Sequence, residues 1–126
     1  MRIVALDHVQ LAMPAGGEAR ARAFYGELLG MTEIARPESL RSREGVWFRV
    51  GAVRVHLGVD AGFQPARKAH PCFEVDALAE ALARCRTAGM PVADALPIAG
   101  IRRCYVSDPF GNRIELMERT GPESRE

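Results

Sequence analysis

The chain has three histidines, His8, His56 and His70, and their placement, together with Glu115, bears most directly on chemistry. Imidazole nitrogens beside a carboxylate form an N/O donor set. Such a set suits a borderline divalent ion such as Zn²⁺, Mn²⁺, Fe²⁺, Co²⁺ or Ni²⁺. It suits Ca²⁺ poorly, because Ca²⁺ takes oxygen ligands. His8 and His70 lie 62 residues apart. Gly30-Met31 and Gly89-Met90 lie 59 apart, and so do Arg54-Val55-His56-Leu57 and Arg113-Ile114-Glu115-Leu116. Three anchors in the same order at nearly constant spacing describe one unit used twice. With only two copies and a period longer than that of a solenoid, the reading is a pseudo-symmetric domain.

Hydrophobic periodicity supplies the elements that would position these residues. Alternation from Leu6 to Met13 predicts a strand, broken by Pro14 and Gly16-Gly17. A helix follows over about 18–29, with Ala21, Phe24, Tyr25 and Leu28 on one face and Gly30 as its stop. Extended segments are expected at 31–35, 46–50 and 53–59. From Lys68 the order restarts with a strand over 70–75. Asp76 is then the expected cap of a helix carrying Leu78, Leu82 and Cys85 at i, i+4 and i+7. Strands near 92–96, 101–106 and 113–119 follow, the last two joined by the turn-rich Asp108-Pro109-Phe110-Gly111-Asn112. Each half reads strand, helix, strand, strand, strand.

Side chains alternate between the two faces of a strand. Val55 and Leu57 in the first unit, and Ile114 and Leu116 in the second, fall on the side that must cover a helix. His8, His56, His70 and Glu115 therefore project from the helix-free faces. A solvated polar face would carry such residues too, but three histidines at repeat-related positions favour convergence on a metal.

The composition excludes other classes of function. Seventeen basic against sixteen acidic residues leave a net charge of +1, which gives no electrostatic basis for binding nucleic acid or an anionic membrane. Hydrophobic residues at 48% and charged residues at 26% describe a globular chain, not a disordered one. No apolar run approaches the ~20 residues that cross a bilayer, and no signal-peptide pattern opens the chain. Three cysteines, Cys72, Cys85 and Cys104, without CxxC spacing oppose a disulfide framework or zinc ribbon and lead to the expectation of a cytoplasmic protein.

Four stretches carry a family resemblance: Leu6-Asp7-His8-Val9, Phe24-Tyr25-Gly26-Glu27-Leu28-Leu29-Gly30-Met31, His70-Pro71-Cys72-Phe73-Glu74-Val75 and Asp108-Pro109-Phe110-Gly111-Asn112-Arg113-Ile114-Glu115-Leu116. On these the chain resembles the vicinal oxygen chelate superfamily, which includes glyoxalase I, fosfomycin-resistance thiol transferases, methylmalonyl-CoA epimerase, extradiol dioxygenases and bleomycin-resistance proteins. The resemblance implies an α+β fold of two βαβββ modules in pseudo-twofold repeat, forming curved sheets around a cleft for one divalent metal ion. Module one is then about 3–60 and module two about 68–119 of a single glyoxalase-like domain over 1–119, with 120–126 a polar tail. It places metal ligands at His8, His70 and Glu115, and at His56 in members with a fourth ligand. It also implies a homodimer acting on a small-molecule substrate. Two departures stand out. Pro71 follows His70 and requires that strand to be an edge, and His56 stands where related lyases more often carry Glu or Gln.

The function expected is a metal-dependent lyase, isomerase or thiol transferase that chelates adjacent oxygens of a small substrate and stabilises an enolate or alkoxide. Glu115 is the candidate catalytic residue, as ligand and transient base, with a purely structural ligand as its alternative. The alternative functions are a metal-free drug-binding protein of the bleomycin-resistance type and an extradiol-type dioxygenase. A binder of a cationic drug calls for an acidic, aromatic-rich cleft, whereas aromatic content here is 6%. Arg54 and Arg113 share faces with His56 and Glu115 and are candidates to meet an anionic substrate, with a solvated sheet-face role as the alternative, while Tyr105, in the strand before the Asp108-Pro109 turn, is either a hydrogen-bond partner of substrate or a packed aromatic. Either Trp47 or Phe48 is expected to line the site, and Cys72 is read as a small buried filler.

Overall fold

A computed structural model describes residues 1–121, so the tail expected over 120–126 lies mostly outside the described residues. The chain divides into two compact units between Gln64 and Pro65. The first contains β1 (Val9–Met13), α1 (Glu18–Ala21) continued by a π-helical segment (Arg22–Leu28), β2 (Thr32–Ile34), a 3₁₀ turn (Glu38–Leu40), β3 (Gly45–Val50) and β4 (Val53–Val59). The second contains β5 (Cys72–Glu74), α2 (Leu78–Thr87), β6 (Val92–Asp94), β7 (Ile101–Ser107) and β8 (Arg113–Arg119). The fold is α+β, and both units have the same topology. The sheet orders are β1-β4-β3-β2 and β5-β8-β7-β6, with the first strand of each parallel to the last and the other pairs antiparallel.

Each sheet buries one face under its own helix. In the first unit Ala21, Phe24 and Tyr25 meet Val46, Phe48, Val55 and Leu57, all buried. In the second, Leu78, Leu82 and Cys85 lie at the helical spacing read from the sequence and are buried along with Val106, Ile114 and Leu116. The helices end alike, with Gly30 and Gly89 both at φ +76°, a conformation costly for any residue with a Cβ. After Gly89 the Met90 amide donates to the Cys85 carbonyl at 2.9 Å. In the first unit the chain is π-wound, and the corresponding Met31 amide reaches back one residue further, to Tyr25.

Three local expectations are corrected. β1 starts at Val9, not Leu6, so His8 stands just ahead of the strand and Leu6 is 79% exposed. Val9 pairs with Val55, two residues inside β4, and the ladder ends there. Likewise β5 starts at Cys72 and His70 precedes it. Pro71 cannot donate, yet its carbonyl accepts from the Glu115 amide at 3.0 Å, and β5 is an edge strand as the proline required. Asp76 does not cap α2. The orphan Leu78 amide donates instead to the Glu118 carboxylate of β8 at 2.7 Å, a tertiary cap invisible to local pattern.

The Asp108-Pro109-Phe110-Gly111-Asn112 turn is held by one buried carboxylate. Asp108 Oδ1 accepts from the amides of Phe110 and Asn112, and Oδ2 accepts from the Asn112 side chain. This turn fixes the β7–β8 register that aligns the residues discussed next.

The cap yields a test. Glu118→Ala lowers Tm and speeds hydrogen exchange at the first amides of α2, whereas Asp76→Ala changes stability by no more than ~0.5 kcal/mol. Thermal melts and hydrogen–deuterium exchange check both.

Candidate functional site

Each module carries part of the expected site on the sheet face turned away from its helix. In the first, the Asp7 carboxylate lies 2.9 Å from His8 Nδ1. A carboxylate only accepts, so Nδ1 carries the proton in this contact and Nε2 is the nitrogen left for another partner. This hydrogen bond holds the Asp7 carboxyl below its ordinary pKa. The His8 ring stacks on His56 at 4.1 Å between centroids and 16° between planes, and His56 stacks on Trp47 at 3.7 Å and 3°. Trp47 sits beside His56 because β3 and β4 pair them directly. Its neighbour Phe48 points to the core against Tyr25, which settles which of the two lines this face.

His56 is 5% exposed, and burial, with the neighbouring His8 and Arg54, pushes its pKa below the ordinary imidazole value. The structure brings His8 and His56 together, but face to face. Imidazole lone pairs lie in the ring plane. With centroids 4.1 Å apart and planes 16° from parallel, the two ring planes meet far beyond the roughly 2.0–2.1 Å of a Zn–N bond. In this arrangement His56 backs His8; it does not aim at the same point.

In the second module the central contact is between His70 and Glu115. His70 Nδ1 lies 2.9 Å from the Lys68 carbonyl oxygen, which can only accept, so Nδ1 donates. The remaining nitrogen, Nε2, faces Glu115 Oε1 at 3.0 Å. With the ring neutral, these atoms are two acceptors in contact, and only a positive charge on or between them makes the contact favourable. A proton on Nε2 satisfies it, and so does a metal ion. Glu115 is 9% exposed. Burial pushes its carboxyl upward, but hydrogen bonds from His70 and Arg103 and the Arg103 charge outweigh this and hold its pKa below the usual value.

Sequence reasoning missed Arg103. Its Nη1 donates to Glu115 Oε2 at 3.2 Å and to the Tyr105 hydroxyl at 3.3 Å, and its Nε donates to the Leu96 carbonyl at 3.0 Å. Register could have revealed it: Tyr105 pairs with Glu115 and Arg103 with Met117, so all four share one face. Tyr105 also meets His70 edge-on at 5.3 Å. Cys72 pairs with Glu115 and is an exposed residue, not the buried filler expected. Crowding of its thiol and the Glu115 charge push its pKa up to about 11, which keeps it protonated and inert as a nucleophile.

The four expected ligands are thus divided, His8 with His56 and His70 with Glu115. Among the described residues no group of three or more His, Cys, Asp or Glu side chains is arranged to hold a metal ion. The donor chemistry nonetheless fits one. In both modules a histidine offers Nε2 while an acceptor holds Nδ1, and Glu115 offers a carboxylate oxygen.

A family model described as the Glyoxalase/Bleomycin resistance protein/Dioxygenase superfamily matches residues 5–116. Among solved structures, a glyoxalase family protein from Bacillus anthracis is 48% identical at TM-score 0.88, with 94% of this chain and 98% of that one covered. The fosfomycin resistance protein FosX from Listeria monocytogenes matches at 18% identity and TM-score 0.75, covering 98% and 97%. An integron cassette protein from the Vibrio cholerae mobile metagenome matches at 24% and 0.70, covering 94% and 97%. At these lower identities the likeness is one of fold. Among curated proteins none matches the chain.

Arg103 provides the test of this geometry. Glu115, held below its unfolded pKa, adds stability above that value and loses it as pH falls through the folded one. Arg103→Met moves the Glu115 pKa up toward the ordinary carboxylate value, flattens the acid-side fall in stability, and costs ~1–3 kcal/mol at neutral pH. Urea unfolding across pH, with the Glu115 carboxyl followed by NMR, measures both effects.

Proposed function

This chain belongs to the glyoxalase/bleomycin resistance/dioxygenase superfamily, and from that membership we propose that it is a metal-dependent enzyme acting on a small oxygen-rich substrate, of lyase, isomerase or thiol-transferase type. The observation that carries the reading is the His70–Glu115 pair. A histidine whose Nδ1 is committed to a carbonyl sets its Nε2 3.0 Å from a carboxylate oxygen, a contact completed by a proton on Nε2 or by a metal ion in its place. His8, with Nδ1 committed to Asp7, is the third donor. The proposed ligand set is His8, His70 and Glu115, a two-histidine, one-carboxylate set that leaves positions open for substrate.

His56 is assigned a supporting role beside His8. Backed by Trp47 and nearly excluded from water, it holds the His8 imidazole in one plane. A divalent ion held here would supply Lewis acidity toward adjacent oxygens of the substrate. The chain's own residues orient and tune. Arg103 pins Glu115 Oε2 and so leaves Oε1 toward His70. A carboxyl held below its ordinary pKa is a good ligand and a weak base, so the structural-ligand role of Glu115 outranks the transient-base role. The protein is proposed to act as a homodimer, the usual assembly in this superfamily.

Calorimetric titration with Mn²⁺ and Zn²⁺ tests the reading. Wild type is expected to bind one ion per centre, and His8→Ala, His70→Ala and Glu115→Ala each weaken binding by at least ~10-fold. His56→Phe, which keeps a stacking ring without a nitrogen, retains affinity, while His56→Ala weakens it. A folded wild type that binds neither ion contradicts the enzyme reading and leaves the metal-free binding protein in its place.

A further inference from the structure

The helix-free face of the second module carries a charge that the metal-ligand set does not use. Register sets Arg103, Tyr105 and Ser107 of β7 opposite Met117, Glu115 and Arg113 of β8. The two guanidinium groups approach the Tyr105 ring, Arg113 with its Cζ at 4.9 Å from the centroid and Arg103 at 5.9 Å. Their situations differ. Arg103 has all its contacts inside the protein, with Leu96, Tyr105 and Glu115. Arg113 is partly buried, yet among the described residues it makes no ion pair and no side-chain hydrogen bond; its one recorded partner is the Tyr105 ring.

A guanidinium carries five N–H donors in a planar fork and stays charged at any physiological pH. Contact with a ring orients it without using those donors. A partly buried arginine held in this way presents an unused fork whose natural complement is a planar or tetrahedral oxyanion. The neighbourhood favours an anion as well. Arg103 and Arg113 carry two positive charges against the single carboxylate of Glu115 on this stretch of sheet. Ser107 stands directly across from Arg113 and adds a hydroxyl donor. Arg113 and Glu115 are two residues apart on one strand face, or ~7 Å along it. An oxyanion seated on Arg113 leaves the rest of a small molecule beside the His70–Glu115 pair.

We propose that Arg113, set against Tyr105 and facing Ser107, is the subsite for an oxyanion group of the substrate, a carboxylate, phosphate or phosphonate, so that the enzyme acts on small anionic molecules. The substrate assignment rests on the functional reading above, but the anion subsite itself needs no metal. Arg113 is a binding residue here, and it sets specificity by excluding neutral analogues, which leave its fork unpaired.

The test follows the arginine Nε–H resonances of the full chain by NMR, without metal, during titration with methylphosphonate, inorganic phosphate, acetate and neutral acetamide. The Arg113 resonance is expected to shift saturably with the anions and not with acetamide, and the order of affinity identifies the oxyanion. Arg113→Gln weakens anion binding by ~10-fold or more, and Arg113→Lys, which keeps charge and loses the fork, gives an intermediate loss. Arg49→Gln, which changes net charge equally at an exposed site of the first unit, leaves affinity unchanged. An unmoved Arg113 resonance, an equal response to acetamide, or an equal loss in Arg49→Gln overturns the proposal. Metal titration of the same samples reads separately, so failure of the metal centre and failure of the anion subsite give different results.

Discussion

A histidine nitrogen in contact with a carboxylate oxygen requires a positive charge, on the ring or between the two atoms, and that requirement shapes the second module. His70 Nε2 and Glu115 Oε1 are 3.0 Å apart, and the Lys68 carbonyl has already claimed the proton on the other ring nitrogen. The neighbours supply partial compensation. Arg103 neutralises the far oxygen of Glu115, and Tyr105 fills the space between this arginine and the His70 edge. Glu115 is 9% exposed, less than a carboxylate on a solvated sheet surface would be.

The fold builds the contact from its ladder. Glu115 faces away from α2 because Ile114 and Leu116 face toward it, and one step of register would exchange those roles. The parallel pairing of β5 with β8 brings the segment before Cys72 alongside Glu115, and the bond from the Glu115 amide to the Pro71 carbonyl sets His70 within reach. The Asp108 turn locks the partner register, so Tyr105 lies opposite Glu115. The first module repeats the plan: β1 runs parallel to β4 and sets His8 on His56.

Much of this could be read in the sequence, because alternation within strands is a local signal and a repeat is visible without any structure. The helix faces, the edge position of the Pro71 strand and the sharing of one face by His70 and Glu115 follow from spacing alone. What escaped depended on partners distant in sequence. Glu118, not Asp76, caps α2, since a cap on another strand leaves no local trace. Arg103 had no motif, and only the β7–β8 register connects it to Glu115. The Trp47–His56–His8 stack, too, is a tertiary fact with no local signal. The strand starts were placed too early because alternation continues past the first paired residues, Val9 and Cys72.

The most direct measurement of the central claim is the number of histidine nitrogens on the bound ion, read by pulsed electron paramagnetic resonance of Mn²⁺-loaded protein. The account predicts couplings from two imidazoles, assigned to His8 and His70 by their individual loss in His8→Ala and His70→Ala, and an unchanged spectrum in His56→Phe. A third imidazole that disappears in His56→Phe, or a bound ion with no histidine coupling, would contradict it.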